Sequence, residues 1–593
     1  MFPIGVAAST IWPAPVPVPL PGRSALIGSW VPLLLKFTLQ PYATGYRVEP
    51  VTQPLPSAPA RDTAPRVLAP ERAFTEGALR LRLLGSALPA RYRVWAAALS
   101  TALLAGVLRF FRLDDPGTLV FDETYYVKDA YSYLVSGYER AWPEDANDSF
   151  AAGEPDVLLD DPEYVVHPPV GKWMIAFGMA LFGPESSFGW RFSAALAGTL
   201  TVLMIALIAS RLFRSALLGG IAGLLLAVDG HHLVLSRTSL LDIFLTFWVV
   251  AAFGALLLDR DDGRRRLAHK LARTAHRLPG SRPDPAALAT GPWLLWRPWR
   301  LVAAVCLGLA VGTKWSALAF VAVFGILMVL WDTSARRVAG VRHWQAGLLK
   351  DGIPAFFTVI PLAAATYLAT WTGWFLSSGA YGRQWAQSNP APGLAWIPDP
   401  LHSLAEYHRS AWSFHNGLSS EHSYEASAWT WLFLGRPTSF YYESPDPQQA
   451  GCGADACTSA ITSVGNPLIW WAALLSLGVL VAYWLGRRDW RAGAVLSGIA
   501  AGYLPWFAFP DRTMFYFYAV SFVPFLVLAL TFTLGLILGR AGDPLLRKRR
   551  GTIITACFLA AVVLVSAFFY PVWTAEIIPY SDWRLRIWMP SWI

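Results

Sequence analysis

Leu301-Val-Ala-Ala-Val-Cys-Leu-Gly-Leu-Ala-Val-Gly-Thr-Lys-Trp-Ser-Ala-Leu-Ala-Phe-Val-Ala-Val-Phe-Gly-Ile-Leu-Met-Val-Leu-Trp331 is one apolar run, broken only around Gly312-Thr-Lys314. It exceeds the about 17 to 25 residues that a single membrane-crossing helix needs. Basic residues flank it on both sides: Arg264-Arg-Arg266, Lys270, Arg273 and Arg277 before it, Arg336-Arg337 after it. Lys and Arg concentrate in cytoplasmic loops, so both flanks belong on one side and the run must cross an even number of times. Two short or tilted spans, 300–313 and 314–331, satisfy this and set Lys314 in a turn on the far side. A single long helix would leave one basic loop outside and is the weaker reading.

Similar apolar runs recur at 94–111, 190–213, 216–235, 239–258, 353–375, 467–486, 491–508, 515–538 and 552–571, which with the two halves above makes eleven spans. Arg91 and Arg93, Arg211 and Arg214, Arg487-Arg488 and Lys548-Arg-Arg550 all fall inside if the N-terminus is cytoplasmic. The expected fold is an all-α polytopic membrane protein with two large extracytoplasmic loops, 112–189 and 377–466. Composition agrees. Hydrophobic residues make up 55% of the 593 and charged ones 15%, with mean hydropathy +0.40, too apolar for a chain of this length in water. The net charge of +9 is confined to particular loops, as orientation signals are, and does not imply a nucleic-acid partner.

Residues 1–88 are Pro- and Ala-rich without helical periodicity and are expected to be a disordered cytoplasmic tail, leaving 89–593 as the membrane domain. A signal peptide within the tail lacks its basic start. Cys306 and Cys557, inside apolar runs, read as small core residues. Cys452 and Cys457 share a polar loop whose spacing permits a disulfide without requiring one, and no neighbouring His or Cys suggests zinc.

The chemistry-bearing residues gather at the predicted outer ends. Asp122 and Glu123 follow the first span in Phe121-Asp-Glu-Thr-Tyr-Tyr, where a carboxylate beside a bilayer is costly unless paired or reactive. The plain alternative is solvated charge at a helix end. Adjacent carboxylates on a helix do not oppose each other, which makes them a poor match for a glycosidase pair and favours one base with a neighbour that positions something else. Tyr125, Tyr126, Tyr131, Tyr133 and Tyr138 suit a helix lying in the interface. His167-Pro-Pro-Val-Gly-Lys172-Trp starts another such helix, and Lys172 alone reads as a snorkelling lysine. Arg191 and Arg237 end spans and read singly as orientation charges, with an Arg237–Asp242 ion pair as the leading structural reading. Lys314 and Arg512, in outer turns, suit the oxygens of a lipid phosphate. His422, Tyr424, Trp429 and Trp431 form a sugar platform or an interface belt. Phosphate-loop, metalloprotease and serine-hydrolase motifs are missing from the sequence.

Phe121-Asp-Glu-Thr-Tyr-Tyr, His167-Pro-Pro-Val-Gly-Lys-Trp, Trp190-Arg-Phe-Ser-Ala, Ser236-Arg-Thr-Ser-Leu-Leu-Asp-Ile-Phe-Leu, Val311-Gly-Thr-Lys-Trp-Ser and Asp511-Arg-Thr-Met-Phe-Tyr-Phe-Tyr together resemble the protein O-mannosyltransferases, particularly actinobacterial ones. The resemblance runs from about Val94 to the C-terminus. It implies a GT-C glycosyltransferase fold in the cell membrane with its active site on the extracytoplasmic face. The implied reaction moves mannose from polyprenyl-phosphate mannose to Ser or Thr hydroxyls of exported polypeptides, met at the translocon. Asp122 and Glu123 match the family's acidic pair. The β-trefoil domain that eukaryotic members insert in the large loop has no room here. A good phosphate leaving group needs cations more than a general acid, and the acceptor hydroxyl needs a base. The expected scheme is therefore inverting, metal-independent and free of cofactors. Asp122 acts as base, Glu123 orients acceptor or sugar, Lys172, Arg191, Arg237, Lys314 and Arg512 serve the phosphate, and His167, His422, Tyr424, Trp429 and Trp431 serve the sugar or acceptor. The rivals are a related transferase acting on lipid or polysaccharide, and a lipid flippase or transporter. The latter usually shows internal repeats and midplane charges, neither of which is read here.

Overall fold

A computed structural model describes residues 74–85, 87–275, 284–390, 393 and 396–593. The first 73 residues of the expected tail lie outside the described residues. The longer helices are α1 (Glu76–Leu84), α2 (Arg91–Phe110), α3 (Glu123–Ser136), α4 (Val170–Phe182), α5 (Ser187–Phe213), α6 (Ala216–Ala227), α7 (Leu241–Ala275) and α8 (Pro298–Val311). They continue with α9 (Ala317–Ala339), α10 (Gly352–Ala369), α11 (Asp399–Gly417), α12 (Pro467–Arg487), α13 (Trp490–Tyr503), α14 (Val523–Leu538) and α15 (Leu545–Phe569). Strands β1 (Ser439–Glu443), β2 (Cys457–Thr462) and β3 (Ile578–Pro579) form one small antiparallel sheet in that order, with Ser439 opposite Thr462 and Cys457 opposite Pro579. Cys452 and Cys457 are joined in a disulfide at its edge.

Each of the eleven expected spans falls on a helix. Among the described residues, seven helical segments are long and apolar enough to cross a bilayer alone: Arg91–Phe110, Ser187–Phe213, Leu241–Thr274, Ala317–Ala339, Trp344–Ala369, Pro467–Arg487 and Leu545–Trp573. The other four places hold α6, α8, α13 and α14, of 12, 14, 14 and 16 residues. At about 1.5 Å per residue these stop short of a bilayer core roughly 30 Å thick. Irregular segments extend three of them: a helical turn at 230–235 after α6, a 3₁₀ turn at 504–508 after α13, and another at 516–521 before α14. α8 and α9 are separate helices with the break at Gly312–Ser316, so the quoted run turns back and the single-helix reading is set aside.

Helix ends follow local chemistry. Ser215 accepts the Leu218 amide to open α6, and Asn466 accepts those of Leu468 and Ile469, with Pro467 at the first position, to open α12. Gly137 and Gly340 close α3 and α9 in the left-handed conformation. α7 and α14 are buried on most sides. α2, α10 and α15 instead turn apolar faces outward, with Leu103 71% and Phe357 68% exposed, which only lipid makes favourable.

Several expectations change. Residues 76–84 form α1, whose Leu79 and Leu83 pack against Leu267, Leu271 and Ala335, so this part of the expected tail is a packed helix. α3 does not lie as an aromatic belt: Val127, Ala130, Tyr131 and Tyr133 are buried in protein, and Tyr125 stays exposed. Cys306 is buried, but Cys557 is exposed on the outward face of α15. The basic loops are also more than orientation signals. Arg297 bridges Asp259 on α7 (2.9 and 2.7 Å) and Asp332 on α9 (3.1 Å twice), Arg300 reaches Asp332 at 2.7 Å, and Arg336 clasps Asp351 before α10 at 2.6 and 2.7 Å. Arg264 donates to the Leu83 carbonyl at 2.8 Å and fixes α1.

Because Arg297 is shared by two buried carboxylates, Arg297→Ala is expected to cost about 3–5 kcal/mol, the usual effect of breaking a buried pair. The thermal unfolding midpoint of the detergent-purified protein should fall by several degrees, and Arg297→Lys should recover only part, since one ammonium cannot fork to both acids. An unchanged midpoint in Arg297→Ala would count against this network.

Candidate active site

Phe121 has φ 48°, a left-handed conformation costly for a large side chain. Aromatic packing holds it there: its ring stacks on Phe440 at 4.9 Å and meets Phe517 edge-on at 5.6 Å. Asp122 and Glu123 follow at the start of α3, and the helix start sends their side chains different ways.

Glu123 is fully buried. It accepts from Arg191 Nε at 2.9 Å and Nη2 at 2.8 Å, and from the backbone amides of Val120 at 3.0 Å and Ser239 at 2.8 Å. Arg191 also holds the carbonyls of Leu113, Pro116 and Thr118 at 3.4, 2.7 and 2.9 Å. Both residues are thus consumed in a mutual contact that binds the loop between α2 and α3 to α5, not in a phosphate or acceptor contact.

Asp122 is half-buried. Burial pushes its carboxyl up to about 6, opposed by Lys314, reinforced by Asp242, and opposed again by a hydrogen bond with the Tyr126 side chain one helical turn on. At neutral pH the group is mostly ionised yet basic enough to take a proton.

Beside it opens a cavity of about 310 Å³. One end is polar, with His167, Asp242, Lys314, His415, Arg512 and Tyr518, and the rest is mainly apolar, including Leu245, Leu318, Phe320, Pro505, Trp506 and Phe509. Lys314, in the α8–α9 turn, lies 2.8 Å from Asp242 Oδ2 at the start of α7 and 5.0 Å from the centre of the Tyr518 ring. Arg512 donates through Nε to the His415 carbonyl at 2.9 Å, and its guanidinium lies 5.8 Å from the Trp506 ring and 5.9 Å from that of Tyr518.

The other expected cations are elsewhere. Lys172 is fully buried rather than snorkelling: it pairs with Glu139, lies 3.8 Å from Asp129, and donates to the His167 carbonyl at 2.9 Å. Burial drives the Asp129 carboxyl up to about 8. Arg237 donates to the carbonyls of Arg109 (2.8 Å), Phe111 (2.7 Å) and Arg112 (2.6 Å) and caps α2, so the Arg237–Asp242 pair does not form.

The aromatic set also divides. His422 is exposed, its ring 6.4 Å from Phe121 and 5.0 Å from Phe515, which keeps it near Asp122. Tyr424 lies under Arg436 at 5.1 Å, Trp429 is 66% exposed, and Trp431 is wholly buried with its indole donating to the Ala426 carbonyl at 2.9 Å. Trp431 is thus a core residue and no platform. Sequence reading missed Asp242, Tyr126, His415 and Tyr518. Only Tyr126 carried a local signal, its i, i+4 spacing from Asp122. Among the described residues no three His, Cys, Asp or Glu side chains gather as metal ligands.

Two family models match the chain: "Dolichyl-phosphate-mannose-protein mannosyltransferase" over residues 166–267 and "C-terminal four TMM region of protein-O-mannosyltransferase" over 400–592. A polyprenol-phosphate-mannose–protein mannosyltransferase of Mycobacterium tuberculosis is 41% identical over 514 residues, 85% of this chain and 92% of the relative. One from Corynebacterium glutamicum is 33% identical over 83% of this chain and 92% of its own length. The solved Saccharomyces cerevisiae protein O-mannosyltransferase complex bound to its sugar donor superposes with TM-score 0.64 at 15% identity, over 87% of this chain and 94% of that one. The fold is accordingly of the GT-C type.

Opposite stability effects are expected at the two adjacent carboxylates. Glu123→Gln leaves Arg191 buried without its counter-charge and should lower the unfolding midpoint markedly, in the range of about 3–5 kcal/mol for such pairs. Asp122 has a folded value raised above the unfolded one, so its favourable contribution is complete below about 4 and lost as pH rises through about 6. Asp122→Asn should therefore match wild type near pH 4 and exceed it in thermal stability above pH 6. The reverse ranking in a melting series would refute this division of roles.

Proposed function

The chain belongs to the family of polyprenol-phosphate-mannose–protein mannosyltransferases, and we propose that it transfers mannose from a polyprenyl-phosphate mannose to Ser or Thr hydroxyls of exported polypeptides. The single observation that carries the reading is Asp122 within electrostatic reach of Lys314 and Asp242, beside a cavity that is charged at one end and apolar along the rest. The apolar part suits a prenyl chain and the charged end a phosphate.

In the reaction Asp122 removes the acceptor proton as the hydroxyl oxygen attacks C1 of mannose. The bond from C1 to the phosphate oxygen breaks, and its electrons stay on the phosphate. Arg512 meets that oxygen charge with Nη groups that have no hydrogen-bond partner among the described residues, and Lys314, steadied by Asp242, adds a second cation. Attack opposite the leaving group inverts the anomeric centre. The scheme calls for no metal. Glu123 and Arg191 act from behind by holding the loop that carries Asp122.

We assign the site to the extracytoplasmic side of the cell membrane. α7 carries Asp242 in its first turn and Arg264 some 22 residues later, roughly 33 Å along its axis, and α9 begins just after Lys314 and carries Arg336-Arg337 in its last turn. The basic ends, which favour the cytoplasm, therefore lie away from the site.

With labelled polyprenyl-phosphate mannose and a Ser/Thr-rich peptide, the purified protein should form mannosylated peptide, with kcat/KM rising through pH about 6. Asp122→Asn should lower kcat by about 10²–10⁴-fold with donor binding little changed, and Lys314→Ala or Arg512→Ala should weaken donor binding as well as turnover. Near-wild-type turnover by Asp122→Asn would remove it as the base. Cysteines at 270 and 345 should label from the cytoplasm and at 145 and 425 from outside, and the opposite pattern would overturn the sidedness.

A further inference from the structure

Two imidazoles stand at the charged end of the cavity, and the steps above use neither. His167, just before α4, has its ring centre 5.1 Å from that of His415 on α11 and 5.9 Å from that of Tyr126 on α3. His415 Nε2 donates to the Val166 carbonyl at 3.1 Å, so the neutral ring carries its proton there and Nδ1 is the basic position. No hydrogen bond engages either ring nitrogen of His167 among the described residues, although Lys172 holds its backbone carbonyl. The charged and titratable groups facing the pair are Lys314 and Asp242, Arg512 and Tyr518, Lys172, and Asp122 through Tyr126. Burial holds His167 well below the usual imidazole range and His415 at about 4, with Lys314 and Arg512 pressing the same way, so both rings are neutral at pH 7.

The reaction changes the charge this cavity must hold. Resting on the mannosyl-phosphate reading above, the donor is a phosphodiester with one negative charge. The released polyprenyl phosphate is a monoester whose second ionisation lies near 6, so it approaches two negative charges at neutral pH. The fixed groups do not follow that change: Lys314 is already paired with Asp242 at 2.8 Å, and Arg512 offers the same Nη groups to either phosphate.

We propose that the His167–His415 pair discriminates the monoester product from the diester donor: one of the two imidazoles takes up a proton when the bound phosphate becomes a dianion. The balance closes within the site. The acceptor oxygen forms its bond to C1, the C1–O bond to phosphate breaks onto the phosphate, and the single proton that Asp122 takes from the hydroxyl passes on to an imidazole. Asp122 thereby returns to its carboxylate, and no net proton leaves while product stays bound. Product release then requires the imidazolium to give up that proton, so the pair governs how long polyprenyl phosphate occupies the cavity.

The test uses the purified full chain with two probes, a polyprenyl phosphate and its methyl phosphodiester, the second fixed at one negative charge. With ¹⁵N-labelled histidine, the monoester should produce the imidazolium signature of His167 or His415 at pH 7, and the methyl diester should not. In His167→Gln, and in the double variant with His415→Gln, the monoester should bind about tenfold more weakly while the diester stays within about twofold, a selective coupling that general misfolding cannot mimic. Equal weakening of both probes, or no imidazolium on adding monoester, overturns the inference and leaves the donor reading intact. Failure of the wild-type protein to bind either probe overturns both.

Discussion

The ion pair between Glu123 and Arg191 sets the geometry of this end of the helices because neither charge can survive there alone. Two ions taken out of water cost several kcal/mol each unless their hydrogen-bonding capacity is filled. Here it is filled by drawing backbone from the loop after α2 and from the approach to α7 onto a side chain at the start of α5. Three pieces of chain are therefore fixed relative to one another by a single local requirement. Asp122 inherits its position from that arrangement while remaining outside it.

The two acids differ in kind through this environment. Glu123 has four donors and no access to water, so it is bound to structure. Asp122 keeps a partly open face, one tyrosine partner and a cation nearby, which leaves it free to exchange a proton. Lys314 and Asp242 make a comparable compromise: paired, yet lining a cavity that a ligand can enter.

The helices were legible because their signal is local: apolar runs, basic loops and parity read the turn at Lys314 without any tertiary information. The ion pairs were not, since Glu123 and Arg191 are 68 residues apart and Asp242 and Lys314 are 72. Nearness along the chain was misleading for Arg237 and Asp242. A turn at Ser236–Leu240 sends the arginine back to the end of α2 and leaves the aspartate to open α7. Lys172 looked like a surface lysine because nothing in its own segment shows the acids of α3 and its following turn that surround it. Trp431 resembled a sugar platform for the same reason, composition being readable and burial not.

The unusual backbone of Phe121 bears on how the enzyme is made. Its left-handed turn is held by Phe440 and Phe517, both far downstream. During synthesis the loop between α2 and α3 emerges long before those rings exist, and an isolated Phe has no reason to adopt that conformation. Glu123 and Arg191 can meet early, when α5 has emerged, but the residue before Asp122 acquires its support only when the chain is nearly complete. A nascent or truncated polypeptide therefore carries Asp122 and Glu123 without the packing that sets Phe121, and the arrangement around Asp122 is complete only in the assembled whole.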